Sequence, residues 1–254
     1  MTETQPAPEP KKSDLGTRAA SAVVMVAVAG TALWLGGWWW TVFVAAVALG
    51  VLWEWWGLIV RFGLTPTGYA RWSVFGIAYV GASAFVLAGL WQSDGASLTL
   101  KAIIAIVVAT DIGAYLAGRT IGGRKIAPKI SPSKTWAGLG GGIVGASIVV
   151  FIVKVFFGYL YCKVCQNSAV SFETVYTSVI WGAPLAIIAQ AGDFFESWMK
   201  RRAGAKDSGN LIPGHGGLFD RVDGLLSVCF VIGPVAVAVN GFLIAIGEAS
   251  YFSL

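Results

Sequence analysis

Charged residues are scarce in this chain, and their scarcity excludes most soluble folds. Only 12% of the 254 residues are charged and 56% are hydrophobic, so that the mean hydropathy is +0.72. A soluble globular domain of this size needs more polar surface than such a composition supplies. The sequence therefore predicts an integral membrane protein, in which lipid surrounds the apolar side chains.

Cysteine and histidine are also rare, which argues against a zinc site. The chain has three cysteines and one histidine, His215. Cys162 and Cys165 lie in one short polar gap, but without a second pair or a nearby histidine they cannot supply four zinc ligands. These two cysteines could form a local disulfide or remain free thiols, and the sequence leaves both alternatives open because the outcome depends on the compartment.

The basic excess fits membrane topology better than nucleic-acid binding. The net charge is +5 and the pI is about 9.2, but the Lys and Arg residues are grouped in the gaps between apolar runs. Positive residues collect on the cytoplasmic side of membrane proteins. We therefore expect no nucleic-acid partner and assign the basic gaps to the cytoplasm.

Long apolar runs predict an all-α fold, a polytopic membrane helix bundle with about seven spans. The predicted spans are 18–36, 38–57, 72–91, 98–118, 136–161, 175–198 and 222–247. An eighth span would result if the last run divides into two shorter helices. Residues 1–16, rich in proline and charge, predict a disordered cytoplasmic tail, and 17–254 a single membrane domain.

Two tryptophan clusters mark the ends of the second predicted span. Trp38–Trp40 lie at its start, and Trp53, Trp55 and Trp56 lie near its end. Tryptophan is enriched at membrane–water interfaces, so we expect both clusters to act as interfacial anchors.

The first polar segment that breaks the apolar pattern covers residues 111–142. It begins with Asp111 inside an apolar run, where a carboxylate is unfavourable unless it faces a partner or a water-filled cavity. On a helix, Asp111 and Tyr115 share a face that points toward the basic loop that follows. The alternative is that Asp111 only neutralises one of the neighbouring arginines.

The loop expected at 131–135 combines hydroxyl groups, Lys134 and backbone N–H groups just before a helix start. Helix N-termini favour anionic groups, so this loop predicts a phosphate-binding site. The alternative is an ordinary cytoplasmic loop of turn residues.

The second polar segment covers residues 190–224 and carries most of the acidic side chains. Residues at helical spacing place one polar face at the end of a span, and the next span begins with two further carboxylates. They are Asp193, Glu196, Ser197 and Lys200, followed by Asp220 and Asp223. With Asp207, five carboxylates lie within 193–223, and such oxygen ligands beside phosphates are typical of Mg²⁺ sites.

The loop between these two helix ends suits an approach to phosphate. It contains Lys206, His215 and three glycines, Gly214, Gly216 and Gly217, which let the backbone come close to a ligand. The alternative for the carboxylates is a purely structural pairing with nearby arginines, and for His215 a structural role.

The stretch 197–223 resembles the signature of the phosphatidate cytidylyltransferases, also called CDP-diacylglycerol synthases. The similarity extends outward to Gly192-Asp193 and into 111–135. The N-terminal part agrees only in being hydrophobic, with Arg18 and Glu54 at positions that fit the family. Ser133 and Ala137 depart from the family, which often has lysine and glutamate there. The residues that fill the signature are Ser197, Met199, Lys200, Arg201, Lys206, Asp207, Gly209, Ile212, Pro213, His215, Gly216, Gly217, Leu218, Asp220, Arg221, Val222 and Asp223.

The resemblance implies an enzyme that joins CTP to phosphatidate with Mg²⁺, in a bacterial inner membrane with the site on the cytoplasmic side. Whether a second metal ion binds and whether the chain forms a homodimer both stay open. The implied metal ligands are Asp193, Asp220 and Asp223, and the implied catalytic residues are Asp193, Asp220, Lys200, Arg201, Lys206 and Arg221. The implied substrate-binding residues are His215, Gly216, Gly217, Ser197, Asp207, Asp111, Tyr115, Arg119, Ser131 and Lys134.

Two other functions stay open at this point. One is another CTP-dependent membrane lipid enzyme, such as a polyprenol kinase. The other is a transporter of an anionic substrate, which glycine-interrupted helices would fit. The carboxylates are predicted at helix ends on one side of the membrane, and the sequence contains no internal repeat, which favours the enzyme.

Overall fold

The computed structural model describes residues 15–92, 96–161 and 172–245, and most of them are helical. The helices are α1 (Leu15–Leu35), α2 (Gly37–Val60), α3 (Pro66–Gln92), α4 (Ala96–Thr120), α5 (Trp136–Tyr161), α6 (Phe172–Arg202) and α7 (Phe219–Ala245). The predicted all-α membrane bundle is confirmed. In the described ranges, α1 to α6 are long and apolar enough to cross a membrane. The expected number of seven spans therefore stays a prediction.

Two predictions concern parts of the chain outside the described residues. The predicted cytoplasmic tail lies there apart from its last two positions, where α1 already begins at Leu15. The Cys162 and Cys165 pair also lies outside them, so its disulfide or thiol state stays a prediction.

A small β-hairpin joins α4 to α5. Strand β1 (Lys125–Ala127) pairs antiparallel with β2 (Ser131–Thr135), with Lys125 opposite Thr135 and Ala127 opposite Ser131. The prediction of a loop at 131–135 was therefore wrong. This polar segment lacks the apolar alternation that indicates a strand, and its partner strand supplies the backbone hydrogen bonds instead.

The hairpin leads directly into α5. The Thr135 hydroxyl accepts a hydrogen bond of 3.0 Å from the Gly138 N–H, which caps the first turn of the helix. The Trp136 N–H donates to the Arg124 carbonyl at 3.1 Å and closes the open end of the hairpin. Lys134 is thereby held directly before Thr135, the capping residue of α5.

Glycines bring α4 and α5 into backbone contact. A methyl group on Gly113 would overlap the Gly141 carbonyl, and one on Gly145 would overlap the Ala109 carbonyl. Gly141 and Gly145 form the small-x-x-x-small pattern that lets membrane helices approach closely. This contact holds the α4 segment that carries Asp111 against the start of α5.

Two tryptophans that we expected at the membrane interface lie inside the bundle. Trp40 is 4% exposed and donates to the Leu87 carbonyl, and Trp55 is 2% exposed and donates to the Trp72 carbonyl. Adjacent residues of a helix point about 100° apart, so that one cluster serves both core and surface. The anchor prediction was wrong for these two, whereas Trp38 and Trp53 are exposed.

We predict that Gly141→Ala lowers the free energy of unfolding by about 1–3 kcal/mol, because the added methyl group forces α4 and α5 apart. The thermal midpoint of the purified protein in detergent measures the effect. The matched control is Gly140→Ala on the same helix, where a methyl group meets no other atom within 4 Å. Equal midpoints for both variants would show that the close helix contact is not what stabilises the bundle.

Candidate active site

One cavity of about 710 Å³ collects the polar side chains of α4, the hairpin, α6 and α7. Acidic and basic residues line it in equal number. The acidic ones are Asp111, Asp193, Glu196, Asp220 and Asp223, and the basic ones are Arg119, Lys125, Lys134, Lys200 and Arg221. The two polar segments of the sequence therefore meet in a single site.

An ion pair joins the hairpin to α6. The Lys134 ammonium on β2 donates a hydrogen bond to the Asp193 carboxylate on α6. Burial lowers the pKa of Lys134, but Asp193, with smaller contributions from Asp111 and Asp223, raises it by more. The pKa of Lys134 thus lies above its ordinary value, and the side chain stays charged at neutral pH.

Close packing of α6 on α7 brings Asp193 beside Asp223. A methyl group on Gly192 would lie 2.6 Å from the Asp223 carbonyl oxygen, so that only glycine allows this approach. Asp193 is the charged group that acts most strongly on Asp223, and Asp111 acts on it as well. Three carboxylates from three helices therefore influence one another in this part of the cavity.

A second ion-pair network joins α6 to the start of α7. The Lys200 ammonium donates to Asp220 Oδ1 at 2.5 Å and lies 2.7 Å from Glu196 Oε2. The other oxygen of Glu196 has no hydrogen-bond partner among the described residues, and neither does Gln190 Nε2. Both of these buried side chains belong to residues that line the cavity.

The loop before α7 is tied to Asp220. The Ser208 N–H, the Ser208 hydroxyl and the Gly217 N–H all lie within 2.9–3.0 Å of Asp220 Oδ2. Asp220 is therefore oriented by the loop on one side and by Lys200 on the other.

Eleven of the seventeen predicted site residues line the cavity, including Asp223. The others in this group are Asp111, Tyr115, Arg119, Ser131, Lys134, Asp193, Ser197, Lys200, Asp220 and Arg221.

The remaining predicted residues lie outside the cavity lining. Arg201 donates to the Ile130 carbonyl at 3.3 Å, and His215 Nδ1 lies 2.7 Å from the Ser21 hydroxyl on α1. The other residues outside the lining are Lys206, Asp207, Gly216 and Gly217, all in the loop between α6 and α7.

Several residues of this region had no role in the predicted site, among them Lys125 of the hairpin, which lines the cavity. Gln190 and Glu196 line the cavity. Glu54 on α2 accepts hydrogen bonds from the loop between α6 and α7. The helical spacing had placed Glu196 on one polar face with Asp193 and Lys200 without giving it a role, and the same spacing could have identified Gln190. Glu54 fits a family position, but no local pattern indicates its contacts, because its partners lie more than 150 positions away in sequence.

The donor set suits a hard cation that keeps most of its own ligands. In the described ranges, no three Asp, Glu, His or Cys side chains are grouped closely enough to enclose a metal ion. Mg²⁺ does not need such a cage, because it binds one or two carboxylates together with water and substrate oxygens. The carboxylates of this cavity fit that mode of binding.

Comparison with known proteins gives concordant matches. The model of the cytidylyltransferase family matches residues 64–239, a range that contains the entire cavity lining. A phosphatidate cytidylyltransferase of Brucella suis is 32% identical over 271 aligned positions, covering 87% of this chain and 92% of that protein. One of Rickettsia bellii is 33% identical over 236 positions, covering 92% and 94%.

We predict that Lys134→Ala and Asp193→Ala are each destabilising and that their effects are not additive. Each single variant leaves an opposite charge half-buried without its partner, whereas the double variant removes both charges. Thermal midpoints in detergent should give a coupling of about 1 kcal/mol or more. Lys129→Ala, at an exposed lysine of the same hairpin, is the control and should show no coupling with Asp193→Ala.

Proposed function

The chain belongs to the cytidylyltransferase family, and we propose that it is a phosphatidate cytidylyltransferase. It transfers the cytidylyl group of CTP to phosphatidate and produces CDP-diacylglycerol and pyrophosphate for phospholipid synthesis. The supporting observation is the cavity in which five basic and five acidic side chains meet at the ends of membrane helices. Its polar contents suit two phosphate-bearing substrates, one from water and one from the bilayer.

The chemistry requires charge neutralisation more than proton transfer. A phosphatidate oxygen attacks the α-phosphorus of CTP, and a new phosphorus–oxygen bond forms. The bond from the α-phosphorus to the bridging oxygen breaks, and pyrophosphate leaves with that electron pair. The attacking oxygen is already ionised at neutral pH, so that no strong general base is needed. The site must instead hold two mutually repelling anions in line.

The basic residues divide between the two substrates in this proposal. Arg119, Ser131 and Lys134 lie at the hairpin end of the cavity and bind the phosphate of phosphatidate. Lys200 and Arg221 lie beside Asp220 and neutralise the triphosphate of CTP. Arg201 and Lys206 carry positive charge just outside the cavity lining and strengthen the field there.

His215 and the glycines after it are assigned to the nucleotide or to the leaving pyrophosphate. The His215 backbone carbonyl accepts a hydrogen bond of 2.7 Å from Arg221, which links this loop to a basic residue of the cavity. Gly216 has a φ of 82°, a conformation that glycine adopts without strain. The loop can therefore bring backbone N–H groups close to a phosphate.

Divalent metal fits the charge balance of the cavity. Each ionised carboxylate of the lining offsets one of the five basic side chains, and a bound cation would restore positive charge for a triphosphate. Asp193 and Asp220, with Asp223 beside Asp193, would hold Mg²⁺. The ion would supply positive charge to the phosphate oxygens as the transition state forms.

The six long apolar helices make the chain an integral membrane protein. We place it in a bacterial cytoplasmic membrane, because the matched relatives are bacterial proteins. The cavity then opens toward the cytoplasm, the side on which Lys200, Arg201 and Arg202 at the end of α6 should lie. The mass of the purified protein in detergent decides between a monomer and a homodimer.

The products separate this function from its rivals. Phosphatidate cytidylyltransferase activity releases pyrophosphate from CTP, whereas a polyprenol kinase releases CDP and a transporter leaves CTP intact. The assay contains purified protein, CTP, phosphatidate and Mg²⁺, and chromatography identifies the nucleotide and phosphate products. CDP formation would favour the kinase.

We predict that Asp193→Ala and Asp220→Ala each lower kcat by about 10³-fold or more, because each removes a carboxylate proposed to hold Mg²⁺. His215→Ala should lower kcat/KM by about 10-fold to 100-fold, because it weakens binding of the nucleotide or pyrophosphate. A chelator of divalent cations should abolish turnover of the wild type, and added Mg²⁺ should restore it.

The control is Glu173→Ala, which removes an exposed carboxylate at the opposite end of α6 and should keep wild-type activity. Each variant must elute as a monodisperse species in detergent. Near-normal rates for Asp193→Ala and Asp220→Ala would refute the metal assignment even for an active transferase.

A further inference from the structure

Glu54 is a buried carboxylate far from the signature in sequence. It lies on α2 with 3% of its surface exposed, next to the buried Trp55. An ionisable residue inside a membrane helix is unfavourable unless specific partners compensate it. Glu54 does not line the cavity, so that substrate contact does not explain its presence.

Both oxygens of Glu54 accept hydrogen bonds from the loop between α6 and α7 and from the start of α7. Oε1 accepts the Leu218 N–H at 2.9 Å, and Oε2 accepts the Phe219 N–H at 2.8 Å. The Ser208 hydroxyl lies 2.9 Å from Oε2. Since α7 begins at Phe219, two of these three donors are backbone groups at its start.

Glu54 therefore acts as an N-terminal cap supplied by a different helix. The first N–H groups of a helix have no partner within the helix, and a negative charge beside them is favourable. A capping side chain normally comes from the residue just before the helix. Here α2 provides it, so that the start of α7 is fixed relative to α2.

One residue links Glu54 to the cavity. The Ser208 hydroxyl lies 2.9 Å from Glu54 Oε2 and also 2.9 Å from Asp220 Oδ2. The Ser208 N–H, at 3.0 Å, donates to the same Asp220 oxygen. A shift of the Glu54 carboxylate would therefore move the groups that orient Asp220.

Two signature glycines provide the space for the Glu54 carboxylate. A methyl group on Gly209 would lie 2.7 Å from Glu54 Cδ, and one on Gly217 would overlap Ser208 Oγ and lie 2.7 Å from Glu54 Oε2. Neither glycine has a φ in the left-handed region, so that backbone strain does not explain them. Gly209 leaves space for the Glu54 carboxylate, and Gly217 leaves space for that carboxylate and for its partner Ser208.

We propose that Glu54 is a positioning residue that holds Ser208 and the first turn of α7, and thereby orients Asp220 toward the substrates. This inference rests on the proposed function. Glutamine cannot replace Glu54, because either orientation of its amide places an NH₂ group against a backbone N–H of Leu218 or Phe219. Aspartate is shorter by one methylene group and cannot reach all three donors.

The test compares Glu54→Gln and Glu54→Asp with the wild type in steady-state kinetics and in thermal unfolding. We expect Glu54→Gln to lower kcat by about 100-fold, the effect of a small misplacement at a reacting centre. The KM for phosphatidate should change by less than about threefold, because its proposed contacts lie at the hairpin. Glu54→Asp should not restore kcat.

Ser83→Ala is the structural control. Ser83 is fully buried on α3 and donates to the Leu226 carbonyl on α7 at 2.8 Å, but it does not contact the loop. This variant should lower the thermal midpoint while kcat stays within about threefold of the wild type. An equal loss of kcat in Ser83→Ala would show that weaker packing of α7 alone accounts for the effect of Glu54.

Gly209→Ala tests the same contact without changing Glu54. Its methyl group should displace the Glu54 carboxylate and lower kcat, whereas Gly57→Ala on α2, which meets no atom within 4 Å, should not. If Glu54→Gln does not fold, the comparison of Gly209→Ala with Gly57→Ala tests the proposal in its place. Wild-type kcat in Gly209→Ala would then overturn the proposal.

Amide hydrogen exchange separates the inference from the proposed function. Glu54→Gln should exchange faster at Leu218 and Phe219, and Ser83→Ala should not, whether or not the protein turns over CTP. Unchanged exchange there, or a kcat within twofold of the wild type, would overturn the positioning role. A wild type that forms no product from CTP and phosphatidate contradicts only the proposed function.

Discussion

The structure depends on the pairing of charges that would be unfavourable alone between membrane helices. Lys134 with Asp193, and Lys200 with Asp220 and Glu196, each connect two elements of the chain. A buried charge without its partner carries a large desolvation penalty, so that these pairs constrain how the hairpin, α6 and α7 meet. The same residues line the cavity, and the groups that orient the elements are also those available to substrates.

The sequence predicted the bundle and much of the cavity because both depend on local patterns. Apolar runs of about 20 residues indicate spans without reference to the rest of the chain. The spacing of Asp193, Glu196 and Lys200 indicates one face of a helix, and the structure places all three in the cavity. The signature carried the family assignment, which the family match confirms.

The features that sequence reasoning missed depend on contacts between distant parts of the chain. The β-hairpin forms from a polar segment that has no strand pattern, because its stability comes from its partner strand and from Arg201 on α6. Trp55 looked like an interfacial residue, but its ring packs against Trp72 and Phe219. The contacts of Glu54 could not be predicted from local sequence, because they involve a loop about 155 residues later.

The glycine contact between α4 and α5 restricts how this enzyme can admit a lipid. Where two helices touch main chain to main chain, no side chain between them can change rotamer to make room. Asp111 and the base of the hairpin therefore belong to a rigid wall of the cavity. Any gate through which a lipid headgroup passes must be formed by other elements, and lateral entry between α4 and α5 is closed.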